Sequence, residues 1–490
     1  MTATTEAPKV PEPDVRLDDK VDTRKWGRGL YFAWCQPDTA SLISVFVIVL
    51  FVVKAQLVVG AVGAVGRPAV FFGLALFVLW VGGRFIPRIA GGVWVEADRD
   101  PIRVGVWAFV FILFLSIVPA WLRPLTASEA NSVLRNIMLW LALVGVAMSA
   151  TEGLRHRGRL DAVLTRLTYV AVFSAMIAAF QFFTGSDPTD RFIPPGLVLN
   201  ETELGLAQAR NSFNRVVGTA SHAIEFGVVL SMVLPIAIHY AFYARTTNER
   251  FWRWVIVAMI AMAVPLSVSR SGIIATTSAM LVLMGVWSVR RRVQVAVSGG
   301  FAVVAFGAAI PGLLGTIRGL FTNIGQDTSI DARTADYEIA YDFIEQAPFF
   351  GRGLGTFTAD QYLVLDNQYL LTTIESGVVG LFAVIGMFLL GIGVAQRTQR
   401  FSSHEETIHL ARAIQAAFVA GMISAFTFDA LFFFTFQSTF LLLLGVIGSL
   451  WKTKHVEPTG VKRRSIHAPD KPIKPMWPSS EWKLEHTGKP

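Results

Sequence analysis

A single cysteine, Cys35, in 490 residues closes no internal disulfide and builds no thiolate metal cluster. Charge is scarce as well. Asp, Glu, Lys and Arg make up 16% of the chain against 53% hydrophobic residues, and the mean hydropathy is +0.52, which excludes an ordinary soluble domain. Motifs that carry metal or nucleotide chemistry are missing too: there is no HExxH, no paired-aspartate sugar-nucleotide motif, and no P-loop or dinucleotide fingerprint in a strand–helix setting. The sequence therefore argues for no metal, no cofactor and no intrinsic ATPase, and against a soluble nucleotide-sugar transferase.

What is present is a succession of apolar runs, each near the roughly 20 residues that cross about 30 Å of hydrocarbon. Barrel strands would alternate in polarity over about ten residues, so the expected fold is an all-α polytopic membrane protein. About twelve spans are expected, at 41–59, 69–85, 104–122, 133–150, 167–183, 223–242, 254–266, 272–289, 293–310, 370–394, 413–426 and 431–451. They form a transmembrane domain over 41–451, between a flexible tail at 1–40 with Pro8, Pro11 and Pro13 and a disordered basic tail at 452–490.

The net charge of +8 does not point to nucleic acid, because the cations sit beside the apolar runs. Every second loop is basic: Arg88, Arg99 and Arg103; Arg155, Arg157 and Arg159; Arg245, Arg250 and Arg253; Arg290, Arg291 and Arg292; Arg397, Arg400 and Arg412. Cytoplasmic loops are the ones enriched in Lys and Arg, so both termini are expected in the cytoplasm, with the C-terminal tail close to anionic membrane lipids. The opposite loops hold two long members, 184–222 and a large loop at 312–368. In the latter, Ala335, Ile339, Phe343 and Ala347 recur every four residues, predicting an amphipathic helix over 332–347 that lies at the outer surface and ends before Pro348. Gly351, Gly353 and Gly355 then let the chain turn back to the membrane.

Arginine is depleted on the outer side of membrane proteins, so arginines kept there suggest anion binding, and the planar guanidinium suits phosphate. Arg215 precedes the sixth span, Arg270 sits in a tight SRSG turn, and the large loop brings Arg333 and Arg352. Plainer readings stand beside these: Arg270 as a helix cap or a snorkelling side chain, Arg333 as the partner of Asp331 or Asp336 on a solvated helix face. Asp366 at the membrane boundary is a candidate general base, or with Asn367 the N-cap of the tenth span. Glu375 lies inside an apolar run and calls for a cavity or a buried arginine. Asp429, in a short outer turn, is a candidate partner for one of the arginines, and His222 is a second candidate base or a hydrogen-bonded interface residue. Lys54 and Arg84, inside the first two spans, read as snorkelling side chains.

Taken in order, RVVGT before one span, SRSG opening another, PFFGRGLGTF at 348–357 and DNQYLLTTIESGVVGL at 366–381 resemble the O-antigen ligase and polymerase family. The resemblance covers roughly 192–451; the first five spans match in hydropathy alone. It implies a GT-C-like, all-helical, metal-independent glycosyltransferase of the bacterial cytoplasmic membrane. The substrates it implies are a polyprenyl-pyrophosphate-linked glycan donor and a glycan or lipid-linked acceptor, in company with other envelope polysaccharide assembly proteins. By the same resemblance Arg215 and Arg270 hold the pyrophosphate, and Glu375 is structural or orients the arginines; Arg352, Arg333 and Asn367 stand beside them as candidate substrate-binding residues. Family ligases carry an essential His where this chain has Asp366, a weaker base unless its surroundings raise its pKa, which favours a polymerase-like or otherwise divergent member. The alternative function is a transporter or flippase of lipid-linked saccharides, though no inverted repeat stands out.

Overall fold

The structure, a computed structural model, describes residues 38–89, 100–154, 156–200, 209–210, 213–322 and 328–453. Nearly all of both expected tails, together with Arg99 and Arg155, lie outside these residues. The helices are α1 (Thr39–Val52), α2 (Pro68–Ile89), α3 (Pro101–Leu115), α4 (Ile117–Trp121), α5 (Ala127–Gly153), α6 (Arg157–Thr184), α7 (Ala223–Phe242) and α8 (Thr247–Leu266). They continue as α9 (Arg270–Met284), α10 (Val289–Ala309), α11 (Leu313–Thr322), α12 (Thr328–Gln346), α13 (Gln368–Phe401), α14 (Glu405–Ser424) and α15 (Phe434–Thr453). The chain is thus an all-α polytopic membrane protein.

Their starts follow from local chemistry. Asp38 accepts from Ser41 N at 2.8 Å, Asp100 accepts from Ile102 N at 3.0 Å with Pro101 in the first turn, and Thr126 and Glu129 form a reciprocal capping box on α5. Among the described residues nine helical segments are long and apolar enough to cross a membrane. Of the remaining expected spans, α1 and α9 are apolar but only 14 and 15 residues long, and α8 carries Glu249, Arg250 and Arg253 in its first two turns.

The centre of the bundle is built from α7, α14 and α15, almost wholly covered by their neighbours. Helix α5 packs on α2 and α15, α9 on α7 and α14, and α13 on α14 and α3. Helix α10 lies at the edge with Val293, Val297, Phe301 and Val304 turned outward, where acyl chains would cover them.

Contacts between connections sort them into two ends. At one end, the strand β1 (Leu57–Val58) pairs antiparallel with β2 (Val198–Leu199), Ala55 N donates to Thr219 O at 2.9 Å, and Gln361 donates to Thr126 at 2.7 Å. At that same end Thr427 donates to Ser271 at 2.7 Å. At the other, Arg159 meets Asp38 at 3.1 Å, Arg157 meets Glu406 at 3.7 Å, and Lys452 meets Asp100 at 2.7 Å. This alternation is the one implied by the arginine-rich loops.

Three local expectations are corrected. The first span stops at Val52, because Lys54 is drawn inward to Asp187 and Asp190 at 2.8 and 2.5 Å, and Arg84 is held by Glu152 at 3.2 Å; neither side chain snorkels. Burial alone would lower the Lys54 pKa, and the two carboxylates outweigh it, leaving the ammonium above its ordinary range. The third span breaks at Ser116, whose hydroxyl bonds back to Leu113 O at 2.7 Å. The amphipathic helix of the large loop, α12, buries Ala340, Phe343 and Ile344 against Phe357, Leu365 and Ile374, while Ile339 is 45% exposed. A period of 3.6, not 4, selects that face.

Candidate functional site

Helix α13 is broken at Gly377, whose φ of +66° interrupts the backbone ladder within an apolar run. Backbone groups so released need partners away from water. The loop 348–353 supplies them: Arg352 N donates to Ile374 O at 2.9 Å, Gly353 N to Glu375 O at 2.8 Å, Val378 N to Pro348 O at 2.8 Å, and Val379 N to Phe349 O at 3.3 Å. A Cβ at Gly377 would lie 2.2 Å from the Phe349 carbonyl, and one at Gly351 2.3 Å from that of Glu375, so this contact requires glycine on both sides. Glu375 itself accepts from Phe357 N at 3.2 Å and so fastens the returning loop.

Arg352 belongs to the same scaffold. Its guanidinium lies 4.6 Å from both the Phe343 and Tyr362 rings, bonds the Tyr362 hydroxyl at 2.6 Å, and reaches the buried Glu129 carboxylate at 3.5 Å. Glu129 also takes Arg123 at 2.7 Å and Thr126 N at 3.0 Å. The structure thus places Arg352 in a loop-anchoring network with α5. The side chain of Arg333 lies outside the described residues.

The other sequence candidates gather where four helices begin. Helices α7, α9, α13 and α15 all start at the long-loop end, and their first turns are tied together. Glu225 on α7 accepts from Ser221 N at 2.9 Å and from Thr435 N of α15 at 3.0 Å. Gln368, first residue of α13, donates its N–H to Ala425 O at 2.9 Å and accepts from Leu431 N at 2.6 Å. Ser271 of α9 takes the Thr427 hydroxyl, and the His222 ring lies 5.8 Å from that of Phe433. Helix N-termini carry partial positive charge, so their convergence favours an anion.

Arg215, Arg270 and Asp366 are all half-buried around this convergence. Ser269 caps α9 and the preceding Val268 has φ of +45°, a left-handed conformation costly for a β-branched residue. Asn367 caps α13, accepting from Tyr369 N at 3.0 Å and Leu370 N at 3.2 Å, and its amide reaches the Tyr337 hydroxyl at 3.3 Å. His222 accepts from Ile224 N at 3.2 Å; burial first, then Arg215, lower its pKa to about 4 against the opposing pull of Asp366, so it stays neutral. Among the described residues no ion pair joins Asp429 to an arginine. It faces Asp366 and Glu225 instead, and burial together with these carboxylates drives its pKa well above the usual range.

The sequence groups Arg215, Arg270, Arg333, Arg352 and Asp366, with His222 as a second candidate base, and gives no sign of Glu225, Gln368 or Thr427. Glu129 alone carried a local signal, the T-x-x-E capping box at 126–129.

Fold and site together define a multi-pass helical membrane protein with an arginine-bearing polar end. Residues 254–385 match the family model described as O-antigen ligase, which bears out the resemblance read from the sequence and supports a membrane O-antigen ligase-like function of glycosyltransferase type. The matched segment includes Arg270, the large loop, Asp366 and the Gly377 break; Arg215, His222 and Asp429 lie outside it. No curated protein matches the chain.

Proposed function

We propose that this protein transfers or polymerises a glycan from a polyprenyl-pyrophosphate donor at the outer face of the bacterial cytoplasmic membrane. The observation that carries the reading is the convergence of four helix N-termini with Arg215 and Arg270, since a departing pyrophosphate needs donors and positive charge fixed in advance. The arginine-rich end then lies in the cytoplasm, and both termini with it.

In this mechanism an acceptor hydroxyl attacks the anomeric carbon of the donor. Asp366 takes the hydroxyl proton as the new C–O bond forms, the bond from carbon to the pyrophosphate oxygen breaks, and the leaving group carries away the electron pair toward Arg215 and Arg270. Attack opposite the leaving group inverts the anomeric centre. An Asp at position 366 favours polymerisation over ligation. Purified protein in liposomes, given membrane extract from a deletion strain as the source of donor and acceptor, tests the reading. Arg215→Ala and Arg270→Ala are expected to lower transfer by 100-fold or more, about 3 kcal/mol or more of transition-state stabilisation. Transfer at the wild-type rate in both variants would refute it, and full transfer by D366A would remove Asp366 from the mechanism.

A further inference from the structure

The large-loop helix α12 packs one side on its neighbours and leaves a flank uncovered. Ala340, Phe343 and Ile344 turn inward on Phe357, Leu365 and Ile374, which fixes the rotation of the helix about its axis. At about 100° per residue, Tyr337 and Tyr341 follow each other one turn apart on one flank, with Glu345 a further turn on. Glu338 and Asp342 form the neighbouring row. All five side chains are exposed, the tyrosine residues at 51% and 60%. The strip begins at the candidate site, where the Tyr337 hydroxyl accepts from the Asn367 amide at 3.3 Å, and Asn367 directly follows Asp366.

Exposed rings in a row beside carboxylates alone make a selective surface. From Tyr337 to Gln346, where α12 ends, the charged residues are Glu338, Asp342 and Glu345, with no Lys, Arg or His among them. Ionised carboxylates only accept hydrogen bonds, so they suit a ligand rich in donors and repel phosphates and other anions. The negative face of an aromatic ring attracts polarised C–H groups. A sugar ring offers both, with C–H groups on its faces and hydroxyls around its edge. The two tyrosines are about 6 Å apart along the helix axis, close to the length of one sugar residue in a chain. Charge disfavours a membrane surface as the occupant, because the carboxylates would have to approach headgroup phosphates. The exposed apolar side chain of Ile339 lies on the opposite flank.

Resting on the transfer reading above, we infer that the Tyr337–Tyr341 flank of α12 binds an uncharged stretch of the acceptor glycan and leads it toward the Asp366–Asn367 end of α13. The tyrosines stack on consecutive sugar rings while the carboxylates accept from their hydroxyls. Tyr337, bonded to Asn367, holds the ring nearer the reacting end. The flank sets affinity for the acceptor without touching the reacting atoms, and an acceptor carrying phosphate at these positions is rejected.

The probe is the lipid-free saccharide that mild acid releases from the lipid-linked units of a deletion strain. Its binding to purified full-length protein in nanodiscs is compared among wild type, Y341A and Y341F, beside KM and kcat for transfer to it. Y341A is expected to weaken binding about fivefold and to raise KM more than it lowers kcat, while Y341F restores the ring and recovers most of the affinity. Unchanged binding in Y341A overturns the inference, and so does an equal loss in Y341F, which would credit the hydroxyl and not the ring. Binding is read without turnover, so wild-type protein that binds the saccharide but transfers nothing refutes the transfer reading and not the saccharide surface. Tyr341→Trp separates out a membrane contact. A change in its emission with the saccharide supports the inference, and quenching by brominated lipids that the saccharide does not relieve overturns it.

Discussion

Exchange of Gly377 for alanine strikes the contact between α13 and the large loop. The new Cβ would lie 2.2 Å from the Phe349 carbonyl carbon and 2.5 Å from Phe350 N, on a residue with φ of +66°. Left-handed backbone costs a residue with a Cβ about 1–2 kcal/mol. Relief of the clash requires the loop to move off, breaking four backbone hydrogen bonds, at Ile374, Glu375, Pro348 and Phe349, each contributing about 1 kcal/mol net. The sum is about 5 kcal/mol, enough to raise the undocked fraction by nearly four orders of magnitude. Trypsin cleavage at Arg352 in purified protein reads that fraction directly. The control is Gly386→Ala on the same helix, where a Cβ meets nothing within 4 Å and alanine is the better helix former. Equal cleavage rates for G377A, G386A and wild type would refute the reasoning.

Loss of the Glu129 charge in E129Q leaves Arg123 and Arg352 without their carboxylate, and breaking such a buried pair costs about 3–5 kcal/mol. A clear drop in thermal midpoint in detergent is expected, and an unchanged midpoint contradicts the network. His222 is neutral in the fold with its pKa lowered from 6.5 to about 4, so the unfolded chain binds a proton across that window and the folded one does not. Its contribution is therefore lost as pH falls from about 6.5 to 4, by up to about 3 kcal/mol. Denaturation midpoints at pH 7 and 4.5 should differ less in H222Q than in wild type, and an equal difference excludes this role.

Much of the bundle was legible because a bilayer imposes a simple rule: α7 begins and ends where its apolar run does, at Ala223 and Phe242. The turning glycines were legible for the same kind of reason, since Gly351, Gly353 and Gly355 all adopt positive φ. Helix α8 starts seven residues before its predicted span because charged turns at a helix end do not register as hydropathy. The ion pairs were illegible. Lys54 finds Asp187 and Asp190 more than 130 positions away, and nothing near Arg352 announces Glu129. Arg352 thus read as a phosphate ligand because its partner comes from a distant helix, whereas the place of Arg270 as first residue of α9 is local and follows from the SRSG turn.

The central claim is chemistry on a lipid-linked donor at the outer face, and the envelope of a strain carrying R270A tests it most directly. Lipid-linked intermediates and surface glycan would be compared among R270A, the deletion and wild type. The account predicts short lipid-linked units accumulating on the outer leaflet with the long polymer missing. Units trapped on the cytoplasmic leaflet would contradict it and make the protein a transporter.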